Sequence, residues 1–117
     1  MGQIVITKPE KCHLWTASLT KETLFFGFDD VKCYLNSYHN TRELKKCKVC
    51  GQLYFSEYYE EINFSGDEDY EYYTFIPVDS VAMGDRLNDL SMLELGGFLG
   101  IFMNFPPYNS QPYWHNR

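Results

Sequence analysis

Two runs rich in Tyr and Phe, QLYFSEYYEEINF from Gln52 and DYEYYTFIPV from Asp69, meet at the short polar segment SGDED. Aromatic side chains suit a pleated, half-buried surface, and a short polar link between two such runs is the mark of a β-hairpin. Pro77, which has no amide to donate, is expected to close the second strand. An isolated hairpin is marginal in water, so the other apolar segments must extend or cover it.

Several segments can do so. QIVIT near the amino terminus is β-branched and is ended by Pro9, as expected of an edge strand or an arm. LWTASLTKETLFFGF reads as two strands around the polar turn LTKET, and GIFMNF with QPYWHN reads as a final pair around PPYNS. In DVKCYLNSYHN, residues Val31, Tyr34, Leu35 and Tyr38 fall at i, i+3, i+4 and i+7, which predicts a helix capped by Asp29 or Asp30. Ser91 and Glu94 have capping-box spacing, which predicts a second helix from Met92, ended by Gly96 and Gly97. The expected fold is therefore α+β, one small domain over residues 1–117, mainly antiparallel strands with two short helices and a zinc knuckle. Its expected core is Trp15, Leu24, Phe25, Leu35, Leu53, Phe55, Ile62, Phe75, Ile76, Leu93 and Ile101. At 44% hydrophobic and 18% aromatic, the composition is that of a folded chain.

The knuckle is Cys47-Lys-Val-Cys50-Gly51. Two thiolates three residues apart can grip one ion from a tight turn, and the glycine allows the positive φ such a turn needs. Cys12 and Cys33 would complete a four-cysteine shell around a structural Zn²⁺. Cys33 lies off the apolar face of its predicted helix, so His13 or His39 is the substitute, imidazole closing a three-thiolate shell equally well. Two other readings stand beside zinc, a redox dithiol and plain reduced cysteines. A low-pKa dithiol sits at a helix N-terminus, whereas this one precedes the strand-like QLYF and follows RELKK, which has helical composition.

Charge is divided along the chain. Residues 1–48 hold eight of the ten Lys and Arg against five acids, while residues 49–117 hold two against eleven. No Lys or Arg occurs from Val49 to Asp85. Such a balance disfavours direct nucleic-acid binding and favours a basic partner. The candidate contact residues are Glu57, Glu60, Glu61, Asp67, Glu68, Asp69, Tyr70 and Tyr72, tyrosine being favoured at interfaces because it buries area while keeping a polar tip. The competing reading is a solvated acidic sheet edge that resists aggregation. No catalytic residues are expected: G-x-S-x-G and the P-loop pattern are absent, and the hairpin carboxylates have no cleft implied around them. The amino terminus has no secretory pattern, and LGGFLGIFM is about half the length needed to span a bilayer. A cytoplasmic protein, not bound to membrane, is expected.

The strings CKVCGQLYFSEYYEEI, YEYYTFIPV and RLNDLSMLEL, with the closing NFPPYNSQPYWHN, resemble a group of small bacterial proteins carrying CxxCGQLYxxExYEEI and a downstream YIPV-like strand. Some members are associated with contact-dependent growth inhibition or polymorphic toxin loci as immunity proteins. The resemblance covers roughly the last 70 residues well and the first 45 loosely; GGFLGIF departs from it, standing where a more polar segment is expected. It implies a zinc-knuckle protein with Cys47 and Cys50 as ligands and an upstream cysteine such as Cys12 among the others. The function expected is an intracellular immunity protein that binds and neutralises a basic toxin, a nuclease whose phosphate groove the acidic hairpin would occupy. The alternative is a zinc-binding adaptor or regulator without a toxin partner.

Overall fold

The computed structural model describes residues 3–62, 69–105 and 109–117. Among them are strands β1 (Phe28–Asn36), β2 (Asn40–Cys47), β3 (Leu53–Glu61), β4 (Tyr70–Val78), β5 (Gly100–Phe105) and β6 (Tyr113–His115). Three short helices accompany them: α1 (Lys21–Phe26), α2 (Val81–Leu87) and α3 (Met92–Leu95), with a 3-10 turn at His13–Trp15. The strands form one antiparallel sheet in the order β1-β2-β3-β4-β5-β6, each paired with its neighbour in sequence. No described helix is long and apolar enough to cross a membrane.

The hairpin forms as its sequence predicts, with Leu53 opposite Val78 and Glu61 opposite Tyr70. Pro77 does not end β4, which continues to Val78. The ladder between β4 and β5 stops at Phe75, so Pro77 lies beyond it, where a missing amide breaks no bond to β5. The capping box is present as expected: Ser91 Oγ accepts from the Glu94 amide at 3.1 Å, and Glu94 accepts from the Ser91 amide at 3.0 Å. GIFMNF and part of QPYWHN form the last pair of strands. The segment SGDED falls largely, and PPYNS partly, outside the described residues.

Two predicted elements are different. DVKCYLNSYHN is not a helix: it contributes most of β1, and RELKK lies in β2. β1 is an edge strand with register shifts between Asp30 and Lys32 and between Cys33 and Leu35, so the period-two pattern is broken. In β2 the alternation is concealed by Arg42, a buried cation at a position where an apolar residue would announce a strand. LWTASLTKETLFFGF likewise forms no strand pair but the 3-10 turn and α1, whose N-cap Thr20 accepts from the Thr23 amide at 3.3 Å. The helix α2, capped by Ser80 through the Met83 amide, has no counterpart among the expected elements. QIVIT is an arm with no regular structure.

Both faces of the sheet are covered. On one, Phe28, Cys47, Tyr54, Phe75, Ile101 and Met103 pack with Cys12, Leu14 and Leu24. On the other, Leu44, Phe55, Ile76 and Val78 pack with Leu87 of α2 and Leu95 of α3, and Ile4 and Ile6 of the arm join them. The amino-terminal segment thus contributes to both faces, bending around the end of the sheet where Thr7 Oγ1 donates to Asp79 at 3.1 Å. Of the expected core, Leu24, Phe55, Phe75, Ile76 and Ile101 are buried, whereas Phe25, Leu35 and Leu93 are exposed. Leu93 lies on the outer side of α3, Phe25 is only partly covered where its ring meets Tyr73 edge-on, and Leu35 lies on the edge strand.

Candidate metal centre

The end of β2, the turn after it and the arm converge at the point where the chain changes face. The turn is closed by the Gly51 amide on the Cys47 carbonyl and the Cys47 amide on the Gln52 carbonyl, each at 2.9 Å. Gly51 has φ +81°, the left-handed conformation the glycine was expected to supply. On the arm, the Cys12 amide bonds to the Pro9 carbonyl at 2.9 Å, and a 3-10 turn starts directly after Cys12.

These two turns bring Cys12, His13, Cys47 and Cys50 together, with their ligand atoms all within 4.8 Å of one another. His13 Nδ1 is 3.7 Å from Cys47 Sγ. A tetrahedron of ligands about 2.3 Å from one ion has edges of about 3.8 Å, so a small inward movement of the side chains suffices to close a shell. The donors are three sulfurs and an imidazole, which fit Zn²⁺ and not the hard cations that require oxygen. The cluster can hold a metal ion of this class, with Cys12 and Cys47 buried and His13 and Cys50 exposed.

Tyr54 enters the site as a residue the sequence did not indicate. Its hydroxyl donates to Cys12 Sγ at 3.2 Å from the neighbouring strand β3. Burial pushes the Cys12 thiol up to about 12, partly countered by the Tyr54 hydroxyl and the Leu14 amide. Burial also raises the Tyr54 phenol, with Cys12 reinforcing it, so that phenol stays a donor. Cys50 is lower than an ordinary thiol: burial acts against its thiolate, but the amides of Gln52 and His13 and the sulfurs of Cys12 and Cys47 outweigh it. Such bonds to sulfur are the kind that orient metal-bound thiolates.

Cys33 and His39 are not part of this cluster. Cys33 is exposed on β1 opposite Glu43, four residues along β2 from Cys47, which is about 13 Å of extended chain. His39 precedes β2 at the end away from Cys47, about 26 Å distant by the same rise, and its Nδ1 pairs with Glu60 at 2.9 Å. The placement of both as ligands assumed a helix at 30–40; a strand carries them away from the knuckle. His13 is the substitute that the fold brings in.

The expected contact surface is divided by the sheet. Glu57, expected on that surface, is not part of it: it is 3% exposed and bonded to Arg42 Nε at 2.7 Å, so it faces the interior. Arg42 also donates to the carbonyls of Asn88 and Leu90, tying the link between α2 and α3 to the sheet. Glu61 and Tyr70 are exposed, and Tyr72 stacks on Tyr59 with ring centres 6.2 Å apart. Glu60 lies opposite Glu71, a like-charged cross-strand pair that by itself would be unfavourable. His39 relieves it on one side, and the hydroxyls of Tyr58 and Tyr73 donate to Glu71 at 2.9 and 3.3 Å on the other. Burial pushes Tyr73 up to about 12, helped by the Glu71 charge, so its hydroxyl keeps its proton. Asp67 and Glu68 lie outside the described residues. Asp69 precedes β4 at the same end of the hairpin.

No protein-family model, no curated protein and no solved structure matches this chain.

Proposed function

We propose that this chain is an immunity protein, an inhibitor that neutralises a basic toxin of the nuclease kind, with a zinc ion fastening its amino-terminal arm to the sheet. The observation that carries the reading is the gathering of carboxylates and tyrosines at one end of the hairpin. Glu60, Glu61, Tyr70, Glu71 and Tyr72 gather at one end of the β3–β4 ribbon, with Lys21 nearby over the Phe105 ring, while the segments at the knuckle end mix Lys8, Lys11, Lys46 and Lys48 with Glu10, Asp29, Asp30 and Asp79. A nuclease presents positive charge to bind phosphate, and a hairpin that gathers carboxylates and tyrosines has the complementary charge. The resemblance of CKVCGQLYFSEYYEEI to a group of small bacterial proteins, some of them associated with toxin loci as immunity proteins, points the same way. With three thiolates and an imidazole occupying all four positions, the ion would have a structural role, leaving no position for substrate.

The test is co-expression with the product of the adjacent reading frame, followed by nuclease and growth assays. The wild-type chain should suppress the activity, and the variant with Glu60→Gln, Glu61→Gln and Glu71→Gln should associate about ten-fold more slowly at low salt. An adjacent product that is not toxic, or inhibition by the variant with unchanged rate and salt dependence, would defeat this reading.

A further inference from the structure

Beside the acidic end of the ribbon, the sheet face beyond α3 is hollowed into a cleft of about 350 Å³. Its walls are Met92 and Leu93 of α3 on one side and Glu61, Tyr72, Phe102 and Asn104 of the sheet on the other. The helical wall is held in place, since the capping box ties Ser91 to Glu94 in both directions. Yet Leu93 is 89% exposed and Met92 stands out beside it, so two large apolar side chains face water at the rim.

Among the described residues the lining is mostly apolar and aromatic, with Thr74 and Asn104 as neutral polar groups, Glu61 as its carboxylate, and no Lys or Arg. An occupant must therefore offer apolar surface to Met92, Leu93 and the rings while bringing positive charge to Glu61. Arginine has that combination: its methylene stem lies along apolar walls, its flat guanidinium stacks on aromatic faces, and its fork of donors matches a carboxylate. Lysine shares the charge but lacks the plane and the fork. We infer that this cleft is the seat of an arginine side chain of the basic partner protein, an inference that rests on the immunity reading and names the residue recognised.

The probe is the blocked dipeptide acetyl-Leu-Arg-amide, titrated into the zinc-loaded full chain and followed by two-dimensional amide NMR. Saturable shifts are expected at Thr74, Gly96 and Asn104. Replacing arginine by citrulline, which keeps the shape and removes the charge, should weaken binding about three- to five-fold, as should Glu61→Gln, while Asp30→Asn on the far edge should leave it unchanged. Shifts absent from the cleft, or equal affinity for the citrulline or lysine counterpart, would overturn the assignment. Because the peptide is not a toxin, failure of the immunity reading leaves this readout intact.

Discussion

Tyr54 donates its phenolic proton to the sulfur of Cys12 at 3.2 Å, joining the centre of the sheet to the arm that wraps its end. In the proposed zinc site this hydroxyl would support the Cys12 thiolate from outside the shell. Tyr54→Phe removes that bond and little volume. It should leave the fold intact and lower zinc affinity about ten-fold, measured by competition with a chromophoric chelator. Unchanged affinity would show that Tyr54 only fills space.

Metal removal should be felt well beyond the knuckle. The purified chain is expected to carry one zinc by elemental analysis, and Cys12→Ser or Cys47→Ser should abolish it, whereas Cys33→Ser should not. Chelation should cost about 3 kcal/mol or more of stability, lowering Tm by about 10 °C, with the arm showing the greatest gain in amide exchange. A chain free of metal and indifferent to chelators would rule out the centre.

Arg42 and Glu57 form a buried pair at 2.7 Å, with side-chain exposures of 11% and 3%. Removing one partner strands a charge in the interior. Glu57→Gln should therefore cost about 3–5 kcal/mol in urea unfolding. The double variant Arg42→Met with Glu57→Leu should recover part of that loss, although the carbonyls of Asn88 and Leu90 then lose their donor. A double variant as unstable as the sum of both single changes would mean the pair has no coupling of its own.

Gly100 begins β5 with no room for a side chain: an added Cβ would lie 2.8 Å from the Phe75 carbonyl oxygen. That neighbour is backbone within the sheet and cannot swing aside. Gly100→Ala should cost about 1–3 kcal/mol in thermal or chemical unfolding. A neutral result would show that β5 can shift without loss.

Asp85 of α2 accepts from Lys32 Nζ at 2.9 Å and from the Tyr34 hydroxyl at 2.7 Å, and these two bonds hold its carboxyl below the ordinary range. A carboxyl whose pKa is lower folded than unfolded contributes stability above its unfolded value, about 3.9, and loses it as pH falls through the folded value. Wild type and Asp85→Asn should thus differ most above about pH 4 and converge on acidification. Stability curves that stay parallel down to low pH would contradict this.

The hairpin and α3 were legible because their signals are local. Tyr- and Phe-rich runs joined by a polar link, and Ser and Glu at fixed spacing, act within a few residues of themselves. Cys47, Cys50 and Gly51 were legible for the same reason, since one tight turn brings the two sulfurs together. The stretch from Leu14 to Lys46 is less legible, its strands having helical spacing or composition and its helix the look of a strand. There a helical spacing of apolar residues coincided with an edge strand whose side chains are mostly solvated, and a buried arginine replaced the apolar residue that would have marked β2.

What the sequence determined alone was therefore the antiparallel ribbon, the knuckle and the segregation of charge, each set by short-range geometry or by simple composition. Which groups could join Cys47 and Cys50 was decided by tertiary structure. An extended β2 carries His39 to the opposite end of the sheet and β1 holds Cys33 on its edge, while the arm returns around the other end with Cys12 and His13. Contacts between residues more than thirty positions apart depend on the path of the whole chain, and no local spacing encodes that path.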